Sequence, residues 1–171
     1  IGIMGASGSG KSTLLDVLNG KNKPFQGRVL VNGIDLHKNP EKLEGVIGHV
    51  PQDDLLMEEL TVFENLYFAA KLCLANYTEE QLVERLETTL ETLGILGIKD
   101  LRVGSPLAKT ISGGQRKRLN IGLELIREPS ILFLDEPTSG LNVEETEELS
   151  FWVSDIKEEL GITILLVEHN M

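Results

Sequence analysis

A glycine-rich segment near the N-terminus has the composition and spacing of a phosphate-binding loop. Residues 5–12 read GASGSGKS, which matches the pattern G-x-x-x-x-G-K-[ST] between an apolar run and a helix-like stretch. Glycines let successive backbone N–H groups turn towards phosphate oxygens, and the N-terminus of the following helix adds its dipole. The residues expected to bind phosphate are Gly5, Ser7, Gly8, Ser9, Gly10, Lys11, Ser12 and Thr13. Among them, the Lys11 ammonium is expected to reach the β- and γ-phosphates, and the Ser12 hydroxyl is expected to bind Mg²⁺.

Two adjacent acidic residues, Asp135 and Glu136, end the run ILFLDE at 131–136. Packing does not require two carboxylates at the exit of a buried strand. The alternative is two solvated acids without a function, and the presence of a phosphate loop in the same chain disfavours it. Asp135 fits the carboxylate that faces Mg²⁺ in phosphate-loop enzymes. Glu136 is then expected to orient the attacking water, as a general base or a polariser. The sequence therefore predicts hydrolysis of a nucleotide phosphate.

A second glycine pair lies in ISGGQ at 111–115, where a basic helix is predicted to begin. Ser112 and Gln115 have the spacing of a capping box, which explains them structurally. Gly113 and Gly114 would occupy the first turn, where glycine is a poor helix former. Their lack of side chains would let an anion approach N–H groups at the positive end of the helix. Since the first loop already surrounds one nucleotide, this second segment is predicted to contact the nucleotide of another molecule.

Two other classes of nucleotide-binding protein can be weighed against these motifs. Guanine specificity usually comes from an Asn-Lys-x-Asp signature, and the nearest match here, NKPF at 22–25, has Phe25 where the aspartate should be. A small-molecule kinase stays open on the phosphate loop and the acidic pair alone. It does not explain ISGGQ.

Short β-rich runs alternate with helical patterns, which predicts an α/β fold with a mainly parallel sheet. Candidate strands span 1–4, 28–31, 46–50, 131–134 and 163–167. Capping boxes predict helices that begin after Thr61, Thr78 and Ser112, and Asn142 with Glu145 predicts another. No convincing strand lies between about 51 and 127, so we expect an α/β core at 1–52 and 126–171 with a helical subdomain inserted at 53–125. Residues 1–171 are expected to form one domain, truncated at both ends.

Composition narrows the possible partners and environments. The 171 residues are 41% hydrophobic and 25% charged, as in globular proteins, and the formal net charge of −11 argues against binding to nucleic acid. The apolar runs are far shorter than the roughly 20 residues of a membrane-spanning helix. The one cysteine, Cys73, is expected to be a small buried hydrophobe. The basic triplet at 116–118 is expected to form a solvated face.

With these three motifs in order, the chain closely resembles the ATP-binding cassette (ABC) ATPases, from its first residues to its last. ISGGQ resembles the family's Leu-Ser-Gly-Gly-Gln signature, with Ile111 in place of leucine. SGLN at 139–142 resembles the D-loop, with Asn142 in place of its usual aspartate, so Asn142 is expected to act as a helix cap. The resemblance implies a P-loop NTPase fold with a RecA-like core, and it implies ATP and Mg²⁺ as cofactors.

The same resemblance assigns further roles by position. Gln52 in VPQDD matches the Q-loop glutamine, which contacts Mg²⁺ and water and faces the membrane partner, and His169 in LLVEHN matches the switch histidine near the γ-phosphate. The implied catalytic residues are Glu136, His169 and Gln52. The implied metal-binding residues are Ser12, Gln52 and Asp135. The residues implied to bind ATP across a head-to-tail dimer with a second ABC ATPase domain are Ser112, Gly113, Gly114 and Gln115.

The resemblance also implies transmembrane domains as partners, on the same chain or a separate subunit, and a place on the cytoplasmic side of the inner membrane. The first two thirds of the chain resemble G-subfamily exporters and their bacterial relatives. The C-terminal part resembles ATPases of branched-chain amino-acid importers, so the direction of transport stays open. The alternative is a soluble regulatory ABC ATPase of the translation or DNA-repair type. The interval between phosphate loop and signature is too short for the long insertion of the repair type.

Overall fold

The computed structural model describes residues 1–6, 8–105 and 110–168. Helices follow β1, β4 and β5 along the chain, which is typical of an α/β fold. The strands are β1 (Gly2–Met4), β2 (Leu30–Val31), β3 (Ile34–Asp35), β4 (Ile47–Val50), β5 (Ile131–Asp135) and β6 (Thr163–Glu168). The helices are α1 (Lys11–Leu18), α2 (Val62–Cys73), α3 (Glu79–Thr92), α4 (Gly113–Leu125) and α5 (Val143–Leu160), with short 3₁₀ turns at Pro40–Leu43 and Leu96–Ile98.

Four strands form one parallel sheet in the order β1-β6-β5-β4. Its register brings the strand exits together, because Met4 pairs with Glu168, Asp135 with Val167, and Val50 with Leu134. The segments that follow β1, β4 and β5 therefore start at the same edge of the sheet. Ligands of open parallel sheets bind at this edge.

The run predicted as a strand at 28–31 does not join the parallel sheet. Only Leu30 and Val31 are extended, and they pair antiparallel with β3. The connection is Asn32–Gly33, with φ of 50° and 81°, and such left-handed residues are what a two-residue hairpin needs to match the twist of its strands. The Asn-Gly pair was the sequence signal for this hairpin, and the expectation of a longer single strand was wrong.

The helix starts at Thr61, Thr78, Ser112 and Asn142 are confirmed. In each one, the cap side chain accepts a hydrogen bond from the backbone N–H three residues on, and the side chain there accepts one from the cap N–H. Helix α5 ends at Gly161, whose φ of 62° gives the left-handed stop that glycine adopts without strain.

The central strand β5 is buried on both faces, as its bare apolar sequence predicted. Leu132 and Leu134 belong to the main core with α2, α3, α4 and α5, whereas Phe133 packs with Leu15 of α1 on the other side. One continuous core joins the sheet to the helices α2, α3 and α4. It does not separate the chain at 52/53 or 125/126, so these subdomain borders stay predictions.

Two surface features differ from or extend the sequence expectations. Cys73 is partly exposed rather than buried, and its Sγ accepts a hydrogen bond from Arg127 Nε at 3.0 Å. This contact places the thiol at the surface end of α2, where it does not fill the core. Across the described ranges, no helix combines the length and the apolar character needed to cross a bilayer.

Candidate active site

The phosphate loop connects β1 to α1 with two glycines in the left-handed region, Gly8 (φ 77°) and Gly10 (φ 90°). Gly10 is the N-cap of α1, and no described side chain caps this helix terminus. A Cβ on Gly5 would lie 2.9 Å from Ser9 Oγ, so the loop closes tightly on itself. This conformation needs glycine, and it presents backbone rather than side chains to a ligand.

Lys11 is only 7% exposed although it carries a charge. Its ammonium donates hydrogen bonds to the carbonyl oxygens of Gly5 at 2.6 Å and Ala6 at 3.1 Å. The side chain therefore folds back over the loop and holds a positive charge within it. A phosphate cradle requires a cation at this place.

One open pocket of about 360 Å³ unites the predicted residues from three strand exits. Its lining consists of Gly8, Gly10, Lys11, Ser12, Thr13, Gln52 and Glu136. Every lining residue had been singled out from the sequence, although Gln52 and Glu136 are far from the loop along the chain. Two other predicted residues, Ser7 and His169, lie outside the described residues.

Asp135 lies at the end of β5, where one of its carboxylate oxygens is buried. Among the described residues, its Oδ1 is buried without a hydrogen-bond partner. Burial, followed by the charge of the adjacent Glu136, raises the pKa of Asp135 above its ordinary value of 3.8. A buried carboxylate oxygen that lacks a donor fits a hard divalent cation such as Mg²⁺.

Glu136 is 8% exposed and has a φ of +47°, which is uncommon for any residue other than glycine. Its N–H donates to the Val167 carbonyl at 2.8 Å, and its own carbonyl accepts from the Ser139 N–H at 3.0 Å. The residue thus begins a tight turn over 136–139 that is fastened to β6. This turn directs the Glu136 side chain into the phosphate-loop pocket.

Gln52 is held by neighbours on two other segments. Its Nε2 donates to Ser139 Oγ at 3.2 Å, and its backbone carbonyl accepts from Lys117 Nζ at 2.6 Å. Burial lowers the pKa of the Lys117 ammonium. Gln52 therefore connects the turn at 136–139 with helix α4.

The basic triplet of α4 does not form a solvated face, and that expectation was wrong. Arg116 is 5% exposed and binds the Asp54 carboxylate through Nε at 3.0 Å and Nη2 at 3.2 Å. Its Nη1 donates to the carbonyls of Val103 and Gly104. Arg118 places its guanidinium carbon 5.6 Å from the centre of the Trp152 ring. The triplet joins α4 to the segment after Gln52 and to α5.

The glycine pair of ISGGQ occupies the first turn of α4. Ser112 Oγ accepts from the Gln115 N–H at 3.1 Å, and Gln115 Oε1 accepts from the Ser112 N–H at 2.8 Å. The Gly114 N–H donates to Glu145 Oε1 at 3.4 Å. Gly113 has a packing reason as well, because a Cβ there would lie 2.9 Å from Leu141 Cδ2.

Glu145 was predicted only as part of a helix cap, yet it contacts two helix N-termini. Besides the Gly114 N–H, it accepts from the Asn142 N–H through Oε2 at 3.3 Å. Its contact with α4 spans 31 residues of sequence, so no local pattern could have indicated it.

The start of α4 faces a neighbouring pocket rather than the phosphate loop. This pocket of about 220 Å³ is lined by Gln52, Asp53, Asp54, Gly113, Arg116, Lys117, Ser139, Gly140 and Leu141. Gln52 lines both pockets.

The fold and the phosphate loop define an α/β domain of the P-loop NTPase class. A sequence model described as "ABC transporter" matches residues 1–139, and the chain belongs to this family. The predicted ABC-type ATPase domain is thereby confirmed.

Individual relatives agree with this assignment. The broad substrate specificity ATP-binding cassette transporter ABCG2 of Rattus norvegicus is 48% identical over 144 residues, or 82% of this chain and 21% of that protein. ABC transporter G family member 28 of Arabidopsis thaliana is 41% identical over 172 residues, or 98% of this chain and 15% of that protein. The chain thus spans only 15% and 21% of the length of these two relatives.

A solved structure supports the fold. CbiO1 from Clostridium perfringens, part of the ABC transporter complex CbiONQ, superposes with a TM-score of 0.87 at 34% identity, covering 99% of this chain and 66% of that one. The predicted α/β P-loop fold is confirmed by this likeness. The resemblance of the C-terminal part to branched-chain importer ATPases is tested by none of these relatives and stays a prediction.

Proposed function

We propose that this chain binds ATP with Mg²⁺ in the phosphate-loop pocket and hydrolyses it to drive transport through transmembrane partners. One observation carries the proposal: Gln52 and Glu136, from separate strand exits, line the same pocket as Lys11 and the loop backbone. Phosphoryl transfer to water needs positioning and charge stabilisation more than covalent chemistry by the protein. The pocket contains groups suited to both tasks.

Charge stabilisation falls to the loop and the strand exit. The Lys11 ammonium and the backbone N–H groups at the start of α1 neutralise the β- and γ-phosphates. The Ser12 hydroxyl and the Asp135 carboxylate would hold Mg²⁺, together with the side chain of Gln52. When bound, the metal ion supplies positive charge to the phosphate oxygens.

Water positioning falls to Glu136, which accepts the proton of the attacking water or polarises it. The turn at 136–139 fixes the Glu136 backbone, and Gln52 contacts the same turn through Ser139. His169 is proposed to act on the γ-phosphate from the segment after β6.

The remaining assignments concern other molecules. Ser112, Gly113, Gly114 and Gln115 are proposed to contact ATP held by a second ABC ATPase domain. Gly113 lines the neighbouring pocket and none of these four residues lines the phosphate-loop pocket, which supports contact with another nucleotide. The named relatives are transporters, which supports transmembrane partners and a position at the cytoplasmic face of the membrane for this domain.

The test is Glu136→Gln, which keeps the shape of the side chain and removes its charge. Removal of a positioned base lowers turnover by about 10²–10⁴-fold, whereas ATP binding through the phosphate loop should persist. Nucleotide binding and steady-state hydrolysis are measured on the protein purified with its native partners. Glu144→Gln, at an exposed acid on α5, is the matched control and should hydrolyse ATP normally. Normal turnover by the Glu136 variant would refute its assigned role.

A further inference from the structure

Glu168, the last residue of β6, is a buried carboxylate that the proposed chemistry does not use. It is 5% exposed, and its Oε1 accepts hydrogen bonds from the Thr138 N–H at 3.1 Å and the Thr138 hydroxyl at 2.8 Å. Burial of a charged group is unfavourable unless hydrogen bonds compensate for the lost hydration. Both donors here belong to one residue, so this carboxylate fixes the position of Thr138.

Thr138 is the third residue of the turn that Glu136 begins. Glu136 has the left-handed φ of +47°, a conformation that persists in a non-glycine residue only where its surroundings enforce it. Two attachments to β6 provide that enforcement. The Val167 carbonyl accepts from the Glu136 N–H at 2.8 Å, and the Glu168 carboxylate holds Thr138.

These two attachments differ in what they restrain. The Val167 contact fixes the backbone where the turn leaves β5, but it does not fix the direction that the turn then takes. The Glu168 contact restrains the turn two residues further on, and the Ser139 N–H then closes the turn onto the Glu136 carbonyl at 3.0 Å. Without Glu168, the turn could rotate about its attachment to Val167, and the Glu136 carboxylate would move with it.

We propose that Glu168 is a positioning residue for ATP hydrolysis: it holds Thr138 and thereby keeps the Glu136 carboxylate directed at the attacking water. The inference rests on the function proposed above for Glu136. Glu168 should act on turnover and not on nucleotide affinity, because Lys11 and the loop glycines line the pocket, whereas Glu168 and Thr138 do not.

The first experiment compares Glu168→Ala with Glu168→Gln in the protein purified with its native partners. Loss of hydrogen bonds to a charged group predicts that the alanine variant loses about 10–100-fold in kcat, with KM for ATP within about twofold of wild type. The glutamine variant keeps an acceptor oxygen for both Thr138 donors, so it should retain most of the activity. An alanine variant that folds, binds ATP and turns over normally would overturn the proposal, as would equal losses in both variants.

Thr138→Val weakens the same contact from its other side. It leaves the Glu168 side chain in place, so it creates no cavity at position 168 that could unfold the protein. Valine has nearly the shape of threonine and keeps the backbone N–H, so one of the two hydrogen bonds to Glu168 survives. Its kcat should fall by less than that of Glu168→Ala, with the same unchanged KM. Wild-type kcat for this variant, together with an alanine variant that is inactive because it is unfolded, would count against the proposal.

A double-mutant cycle separates positioning of Glu136 from general damage. Once Glu136→Gln has removed the water-orienting carboxylate, adding Glu168→Ala should leave the single-turnover rate unchanged, because the two residues act as one unit. A further multiplicative loss would overturn the proposal. If Glu136→Gln alone hydrolyses ATP normally, the proposed function itself fails. If Glu136→Gln is inactive but Glu168→Ala is not, only the present inference fails.

Discussion

Two helices of this chain begin at glycine-rich segments, and their N-termini are built differently. Helix α1 starts at Gly10 in a left-handed conformation, with no capping side chain among the described residues. Helix α4 starts at Ser112 with a complete capping box, and the Glu145 carboxylate accepts a further hydrogen bond from the Gly114 N–H. The first terminus is arranged for a ligand, whereas the second is already satisfied by side chains of its own chain.

The acidic groups beside the two helices show the same contrast. Asp135, near α1, has a buried oxygen without a described partner, and its pKa is raised by burial and by Glu136. Glu145, near α4, has a backbone N–H donor for each carboxylate oxygen. The buried negative charge near α1 therefore lowers the free energy of unfolding of the ligand-free protein. Binding of a cation and a triphosphate should raise it. The α4 region is stable without a ligand, so its function has to be compatible with its caps.

The largest expected effect comes from separating the two regions onto different subunits. Lys11→Ala disables the phosphate loop, and Ser112→Asp keeps a good N-cap but places a negative charge where a phosphate would approach. Each variant alone should be inactive. A heterodimer of the two variants is different if α4 contacts the partner's nucleotide. One of its two sites then contains both changes and the other contains neither, so ATPase activity should partly return.

The mixing experiment needs proof that heterodimers form, which two affinity tags on the two variants provide. Activity in tandem-purified heterodimers supports contact across the dimer. Inactive heterodimers that also trap no nucleotide between subunits would show that the α4 terminus is only a helix cap.

A smaller but opposite pair of effects is expected at Asp135. Asp135→Asn should reduce hydrolysis by at least about 10²-fold, since the charge of the carboxylate proposed to hold Mg²⁺ is lost. The same change should raise the melting temperature of the nucleotide-free protein, because the raised pKa means that the folded state disfavours the ionised carboxylate. Thermal unfolding should show that Asp135→Asn is more stable than the wild type at pH 7. This difference should narrow as the pH falls towards 3.8. A lower melting temperature at pH 7 would contradict this account of the α1 region.

The two glycines of α4 separate packing from function. A Cβ on Gly113 would lie 2.9 Å from Leu141 Cδ2 and 3.3 Å from the Glu145 carboxylate, whereas one on Gly114 would meet its nearest atom at 3.9 Å. Gly114→Ala should therefore be the more stable of the two alanine variants, by about 1–2 kcal/mol, since alanine also favours helix. If an anion approaches this turn, Gly114→Ala should nevertheless lower turnover. Chemical denaturation and ATPase assays measure the two effects independently, and a stable variant with full activity would leave Gly114 without a role in ATP binding.

The smallest effect is expected from the carboxylate that satisfies the α4 region. Glu145→Gln weakens an acceptor shared by two helix N-termini and should reduce stability by about 1 kcal/mol. Glu144→Gln, at the exposed neighbouring position, should change stability by no more than about 0.5 kcal/mol. Urea denaturation of both variants gives the comparison. Equal stabilities would mean that the Glu145 contact with Gly114 contributes nothing measurable.

The sequence predicted what depends on residues close together in the chain. The phosphate loop, the acidic strand exit and the capping boxes are each contained within about eight residues, so their patterns indicate structure without knowledge of the fold. The same patterns indicated the residues that line the phosphate-loop pocket, except for Gln52, which the family resemblance indicated. Parallel pairing then brought Gln52, Glu136 and the loop to one edge.

Contacts between distant residues could not be predicted in this way. Arg116 and Asp54 are 62 positions apart, and nothing in RKR at 116–118 indicates that the first arginine is buried. Glu168 and Thr138 are 30 positions apart, so no local pattern indicates their contact. Tertiary packing decides such cases, because the free energy of burying an ion depends on partners that only the fold brings close.

The four capping boxes also bear on the order in which the chain folds. Helices α2 to α5 carry capping boxes, which stabilise their first turns without help from the sheet. Helix α1 is eight residues long, follows two left-handed glycines and packs Leu15 in a cluster with residues of the parallel strands, such as Phe133 of β5 and Val167 of β6. Its formation is therefore expected to depend more on prior pairing of the parallel strands than that of the capped helices. In a folding chain, the segment proposed to bind the phosphates would then become ordered later than the segment proposed to contact the partner.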